Sequence, residues 1–169
     1  MTDDRDYILQ KGEEAERFFK EGYNCAQAVA AAFAQDSGMD TEMLLRLTSS
    51  FGGGLGRLRE VCGAVSGMCG IAGLLYGYTD PKDGGAKRDH YARIQELAGK
   101  FREENGSIIC RELLAGIPRN EVSQNSDSSD TGTEPAPSER SPGWYRKRPC
   151  GELVRCAAEI LAEYMKAHA

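Results

Sequence analysis

Six cysteines, Cys25, Cys62, Cys69, Cys110, Cys150 and Cys156, are the residues of this 169-residue chain best equipped for chemistry. A thiol attacks or binds metal only as thiolate, so surroundings that favour negative charge decide which of them can react. Four share such a setting. Cys25 follows Asn24 in "GYNCAQAV", Cys62 follows "RLREV", Cys110 comes three residues after Ser107, and Cys150 follows Pro149. Each is expected in the first turn of a helix, where unpaired amides and the helix dipole favour an anion. Arg57 and Arg59 ahead of Cys62, and Arg146, Lys147 and Arg148 ahead of Cys150, add positive potential. Cys62 in particular is expected to be a reactive thiolate.

Cys69 and Cys156 read differently. Cys69 lies seven positions after Cys62, about 10 Å along a helix, too far for a disulfide. Cys156 is separated from Cys150 in the same way. Both are expected to be small buried apolar groups. Any pairing among Cys25, Cys62, Cys110 and Cys150 must therefore join different helices. No CxxC occurs, which removes a thioredoxin-like dithiol and a zinc ribbon. Three readings stay open: a dithiol/disulfide cycle, a redox metal centre such as an iron–sulfur cluster, and a structural four-cysteine zinc site in a non-catalytic interaction module. The same four cysteines would be the ligands in either metal version.

Other groups offer less. "FGGGLGRL" lacks the Lys-Ser/Thr ending of a phosphate loop and reads as a tight turn, with an anion held by Arg57 as a minor option. His90 and His168, neither near a cysteine in sequence, are expected to be solvated. Glu112, beside Cys110, fits helix solubility better than acid–base work.

Helices are what must position the thiols. Apolar residues recur at helical spacing in "YILQKGEEAERFFKEG", with Ile8, Ala15 and Phe18/Phe19 along one side. Asn24 is suited to cap "CAQAVAAAFAQDSG", read as one helix ending at Gly38, and "TEMLLRLTSS" follows Asp40. A central helix is predicted from about Glu60 to Tyr76, a charged one through "AKRDHYARIQELAGKFREEN", and a short one, "IICRELLAG", capped by Ser107. The final helix, "CGELVRCAAEILAEYMKAHA", carries a stripe of Leu153, Val154, Ala157, Ile160 and Leu161. No stretch alternates with period two. The fold class is all-α: a compact bundle of about six to seven helices around a glycine-rich centre, in a single domain over 1–169. From about 119 to 143 the chain is polar and should form a mobile loop.

Gly63, Gly67 and Gly70 share one side of the central helix. Because glycine costs about 1 kcal/mol per helical position, a close helix neighbour or a bound group should compensate. Gly63, Gly67 and Arg57 are accordingly the candidate cofactor-binding residues. Between Val61 and Tyr78 eighteen residues carry no charge, yet five are glycine, so a core helix is expected and no membrane span. A net charge of −5 with interleaved basic residues argues against nucleic acid. The N-terminus lacks a secretory pattern, so the expected location is cytoplasmic, where reductants disfavour a standing disulfide framework.

"FGGGLGRLREVCGAVSGMCGIAGLLYG", with "GYNCAQAV", "CRELLAG" and "CGELVRCAAEIL", resembles the C-GCAxxG-C-C family of small proteins described as redox-active. The likeness runs from about Gly22 to the C-terminus apart from the polar loop. It implies that Cys25, Cys62, Cys110 and Cys150 are the family's four cysteines, "CGAVSG" its signature, and Cys69 and Cys156 additions. It also implies redox activity or a prosthetic group and specifies no substrate; a redox partner protein is expected.

Overall fold

Asp3 begins the first helix by accepting a hydrogen bond from the Arg5 amide, and acids in the first turn and bases in the last complement its dipole. This helix, α1 (Asp4–Lys20), buries Ala15 and Phe19, whereas Ile8 and Phe18 of the expected stripe are only half-buried. The computed structural model describes residues 3–115, 135–136 and 139–169.

Asn24 caps α2 (Cys25–Ala32) through a reciprocal exchange, its side chain accepting from the Gln27 amide while its own amide donates to the Gln27 side chain. The single helix expected to reach Gly38 is broken at Phe33, and α3 (Ala34–Ser37) follows, closed by Gly38 at φ +66°. The break has a local cause. Lys11 Nζ donates to the Ala32 carbonyl at 2.7 Å, occupying an acceptor that a continuous helix would use. Asp40 caps α4 (Thr41–Thr48), which runs into a short 3₁₀ turn, Ser49–Phe51.

The glycine-rich helix α5 (Gly63–Tyr76) starts later than predicted, with Cys62 as its N-cap. Residues 59–62 instead pair with 108–111. Cys62 N–H donates to the Ile108 carbonyl at 2.8 Å, Cys110 N–H to that of Glu60 at 2.6 Å, and Arg111 N–H to that of Arg59 at 3.1 Å. An isolated antiparallel bridge joins Val61 to Ile109, and Arg111 and Glu60 form an ion pair at 2.6 Å on the outside. Two helix starts are thereby held side by side.

Asp83 caps α6 (Gly84–Asn105), which begins two residues ahead of the predicted charged stretch, at Gly84 and Gly85. The short α7 (Cys110–Leu114) has Ile109 as N-cap. Ser107, expected in that role, instead accepts from the Ile109 amide and bonds Glu112. Most of the expected polar loop, including 119–134, lies outside the described residues. At its far end, Ser141 caps α8 (Pro142–Lys147), a helix that the composition of the stretch concealed. Then α9 (Cys150–Ala167) buries Leu153, Val154, Ala157, Ile160 and Leu161, the predicted stripe, against α1, α2, α5 and α6. Burying each large aliphatic side chain contributes about 1.5–3 kcal/mol.

The described residues contain nine α-helices and no strand, an all-α bundle with more pieces than expected because α2 and α3 are separate and α8 exists. Phe33, Met68, Ile71, Leu97, Phe101 and Leu161 are fully buried at its centre. Among the described residues no helix is long and apolar enough to cross a membrane.

Candidate functional site

A cavity of about 470 Å³ opens where α2, α5, α7 and α9 begin, and Cys25, Cys62, Cys110 and Cys150 all line it. Cys25, Cys110 and Cys150 are the first residues of their helices, and Cys62 is an N-cap. Cys69 and Cys156 stay outside. The helix starts are brought together by glycine. A Cβ on Gly63 would stand 3.1 Å from Cys25 Cβ, and one on Gly67 2.6 Å from the Ala26 carbonyl oxygen, so α5 crosses the start of α2 at a distance that only glycine permits. Gly70 faces open space and takes no part.

The turn before Cys62 completes the wall. Gly53, Gly54, Leu55, Gly56 and Arg57 have consecutive positive φ values between 55° and 72°, and Arg59 follows at 61°. This is a left-handed coil in which three residues carry a side chain, each at a cost of about 1–2 kcal/mol. Backbone bonds such as Gly56 N–H to Ser50 at 2.9 Å and Glu60 N–H to Gly54 at 2.9 Å hold it. Those amides are therefore committed within the turn instead of being free to cradle an anion. Gly54 sits closest to the chemistry: a Cβ there would lie 2.7 Å from Cys110 Cβ.

Four arginines, Arg57, Arg59, Arg140 and Arg148, line the same cavity, and no carboxylate among the described residues does. Arg59 Nη1 reaches Cys110 Sγ at 3.8 Å. Arg140 donates to the carbonyls of Phe19 and Tyr23 at 2.9 and 3.1 Å, and its guanidinium lies over the rings of Phe19 and Trp144. It falls within the stretch expected to be a mobile loop, which is why sequence reasoning missed it. Arg148 is 9% exposed, stacks 4.9 Å from the Trp144 ring, and leaves Nε and Nη2 buried without a hydrogen-bond partner among the described residues.

The thiols are not equivalent. Cys25 and Cys150 lie beside each other in the cavity, close enough that the charge state of one governs the other. The neighbouring Cys25 thiol, followed by the positive charge of Arg148, Arg59 and Arg140, lowers the Cys150 thiol to about 7. Cys25 is pushed well above the ordinary range by the neighbouring Cys150 and by burial. Burial pushes Cys62 up to about 12 despite the amides of Ala64 and Val65. This reverses the expectation for Cys62: the residue is 5% exposed, and dehydration outweighs the helix start. Cys110 is also raised by burial, against the pull of Arg59.

The six cysteines are free thiols. Among the described residues no three His, Cys, Asp or Glu side chains are grouped so as to hold a metal ion. The four sulfurs expected as iron–sulfur or zinc ligands share one cavity, with Cys25 beside Cys150 and Cys110 beside Arg59, without being grouped as a metal site. Of the candidate cofactor residues, Arg57 and Gly63 line the cavity, whereas Gly67 is buried against Ala26. His90 meets Arg93 at 3.0 Å and His168 stacks on Tyr164, both away from the thiols.

A helical bundle with four thiols at clustered helix starts around one cationic cavity defines a class of small cysteine proteins. The chain belongs to the family described as "Putative redox-active protein (C_GCAxxG_C_C)", which it matches over residues 23–164. No curated protein and no solved structure matches it.

Proposed function

We propose that the protein is a thiol–disulfide oxidoreductase in which Cys150 attacks and Cys25 resolves. The observation that carries this reading is the closeness of these two thiols, from opposite ends of the chain, inside the arginine-lined cavity. The Cys150 thiolate attacks one sulfur of a substrate disulfide, forming a mixed disulfide and expelling the other half as a thiolate, which takes up a proton. Cys25 then loses its proton and attacks the Cys150 sulfur. A Cys25–Cys150 disulfide forms and the second substrate thiol leaves. The protein dithiol gives up two electrons and the substrate disulfide gains them. A partner dithiol, itself oxidised to a disulfide, returns the protein to its starting state, and a reducing cytoplasm suits that cycle.

Cys62 and Cys110 supply walls in this scheme. The pairwise arrangement favours dithiol chemistry over a four-sulfur metal centre, because the thiol that loses its proton first is already in contact with a second thiol. The test is a non-reducing peptide map after oxidation with hydroxyethyl disulfide, with metal analysis of anaerobically purified protein alongside. A cross-linked pair of peptides carrying Cys25 and Cys150, in protein free of stoichiometric metal, is expected. A bridge joining other cysteines, or stoichiometric iron or zinc released only with loss of helicity, would overturn the reading.

A further inference from the structure

One of the four arginines lining the cavity keeps donors unmet among the described residues. Arg148 is nine-tenths buried with two guanidinium nitrogens unpartnered among the described residues, and a buried donor left unmade costs about 1–3 kcal/mol, more when charged. Its guanidinium lies against the face of Trp144, and burial together with Arg59 and Arg57 works against its protonated form. Arg57, Arg59 and Arg140 line the same space, and no carboxylate among the described residues does. Such an arrangement is stable when a ligand supplies negative charge, and a guanidinium is shaped to receive two oxygens at once.

The remaining wall sets the rest of the ligand. Phe19, Leu113, Leu114, Trp144 and Leu153 give the cavity an apolar side. Its volume of about 470 Å³ is in the range of sites for small organic molecules, about 300–1,000 Å³. A protein disulfide would have to enter as an exposed loop, whereas a small molecule fits as it is.

We infer that the cavity is a binding site for a small carboxylate-bearing organic molecule, its anionic group held by the unpartnered nitrogens of Arg148 beside Arg57, and its body against the Phe19–Trp144 wall. Resting on the proposed function, the substrate of the Cys150–Cys25 pair is then a low-molecular-weight anionic disulfide, reduced to two thiols as that dithiol is oxidised.

Two measurements separate this inference from the reading beneath it. The first follows reduction of three disulfides of differing charge by the full-length protein: dithiodipropionate, hydroxyethyl disulfide and cystamine. Dithiodipropionate should react about tenfold or more faster than the neutral compound, with cystamine slowest. Arg148→Gln should erase that order and Arg148→Lys partly restore it. Should Arg148→Gln fail to fold by circular dichroism, Arg57→Gln carries the test. The second uses no redox step. Adipate, a dicarboxylate that cannot react, should slow iodoacetamide labelling of Cys150 in proportion to its occupancy, and uncharged hexanediol should not. Equal rates for all three disulfides with no adipate protection overturn the anion site and leave the dithiol reading standing. Adipate protection without reduction of any disulfide overturns the dithiol reading and leaves the anion site standing.

Discussion

Cys25 and Cys150 stand beside each other in the cavity, and this pairing sets the two groups apart in acidity. Cys150 is lowered to about 7 and Cys25 is raised, so the first proton leaves the pair from the side facing the arginines. Iodoacetamide labelling of Cys150 should therefore rise with pH through about 7, well before an ordinary thiol would respond. Cys25→Ala removes the neighbouring thiol and moves that midpoint upward. Each unit of rise lowers the thiolate fraction at neutral pH about tenfold. A labelling profile unchanged by Cys25→Ala would show that the pairing does not set the acidity of Cys150.

Glycines of α5 and the preceding turn offer a second test, because they look alike in sequence and differ in what surrounds them. Gly54→Ala adds a Cβ 2.7 Å from Cys110 Cβ at φ +72° and should cost about 2 kcal/mol or more, combining left-handed strain with displacement of Cys110. Gly67→Ala pushes on the Ala26 carbonyl and should separate α5 from α2 at a similar cost. Gly70→Ala meets nothing, so removing a helical glycine there should stabilise by about 0.5–1 kcal/mol. Urea denaturation of the three variants gives the order directly. A destabilised Gly70→Ala would contradict it.

Most helices were legible in the sequence, whereas helix junctions and α8 were not. Asn24, Asp40 and the α9 stripe announced themselves through local chemistry, capping side chains and 3.6-residue spacing. The break at Phe33 depends on Lys11, which approaches from α1, and a one-dimensional pattern cannot contain that contact. The pairing of 59–62 with 108–111 is similarly non-local, so Glu60–Cys62 read as the start of a helix. For the site, the helix-start rule picked out the four cysteines that line the cavity. It could not rank them, since acidity depends on burial, and the most buried candidate was the one expected to react. Arg140 was hidden by a stretch whose composition reads as loop.

Cys69 and Cys156 should behave as bystanders for separate physical reasons. Burial raises Cys69 to about 11, and burial with the neighbouring Glu104 raises Cys156 to about 12 despite the Asn105 amide. At neutral pH both remain thiols and should label far more slowly than Cys150. Replacing both with alanine is expected to leave the Cys150 rate within about twofold, since neither lines the cavity. Mass spectrometry of partially labelled protein reads this site by site. First label appearing on Cys156 would reverse the assignment.

Lys11 shows how the bundle keeps the helix starts in place from the far end of α2. Its ammonium is almost wholly buried, donates to the Ala32 carbonyl, pairs with Asp36 at 2.6 Å and lies 5.2 Å from the Phe33 ring centre. Tyr7 completes the cluster by donating to the other Asp36 oxygen at 2.7 Å. Lys11→Met removes the cation and leaves the carboxylate and the carbonyl partly buried without it, a change that costs about 3–5 kcal/mol. The double variant Lys11→Met/Asp36→Leu withdraws the stranded charge as well and should recover a large part of that loss. The single variant is thus expected to melt well below the parent, with the double variant between them. Because this cluster lies at the end of α2 opposite Cys25, the folded double variant should keep the parent's Cys150 labelling profile. Equal loss in the single and double variants would mean that packing around Lys11, not the ion pair, holds this end of the bundle.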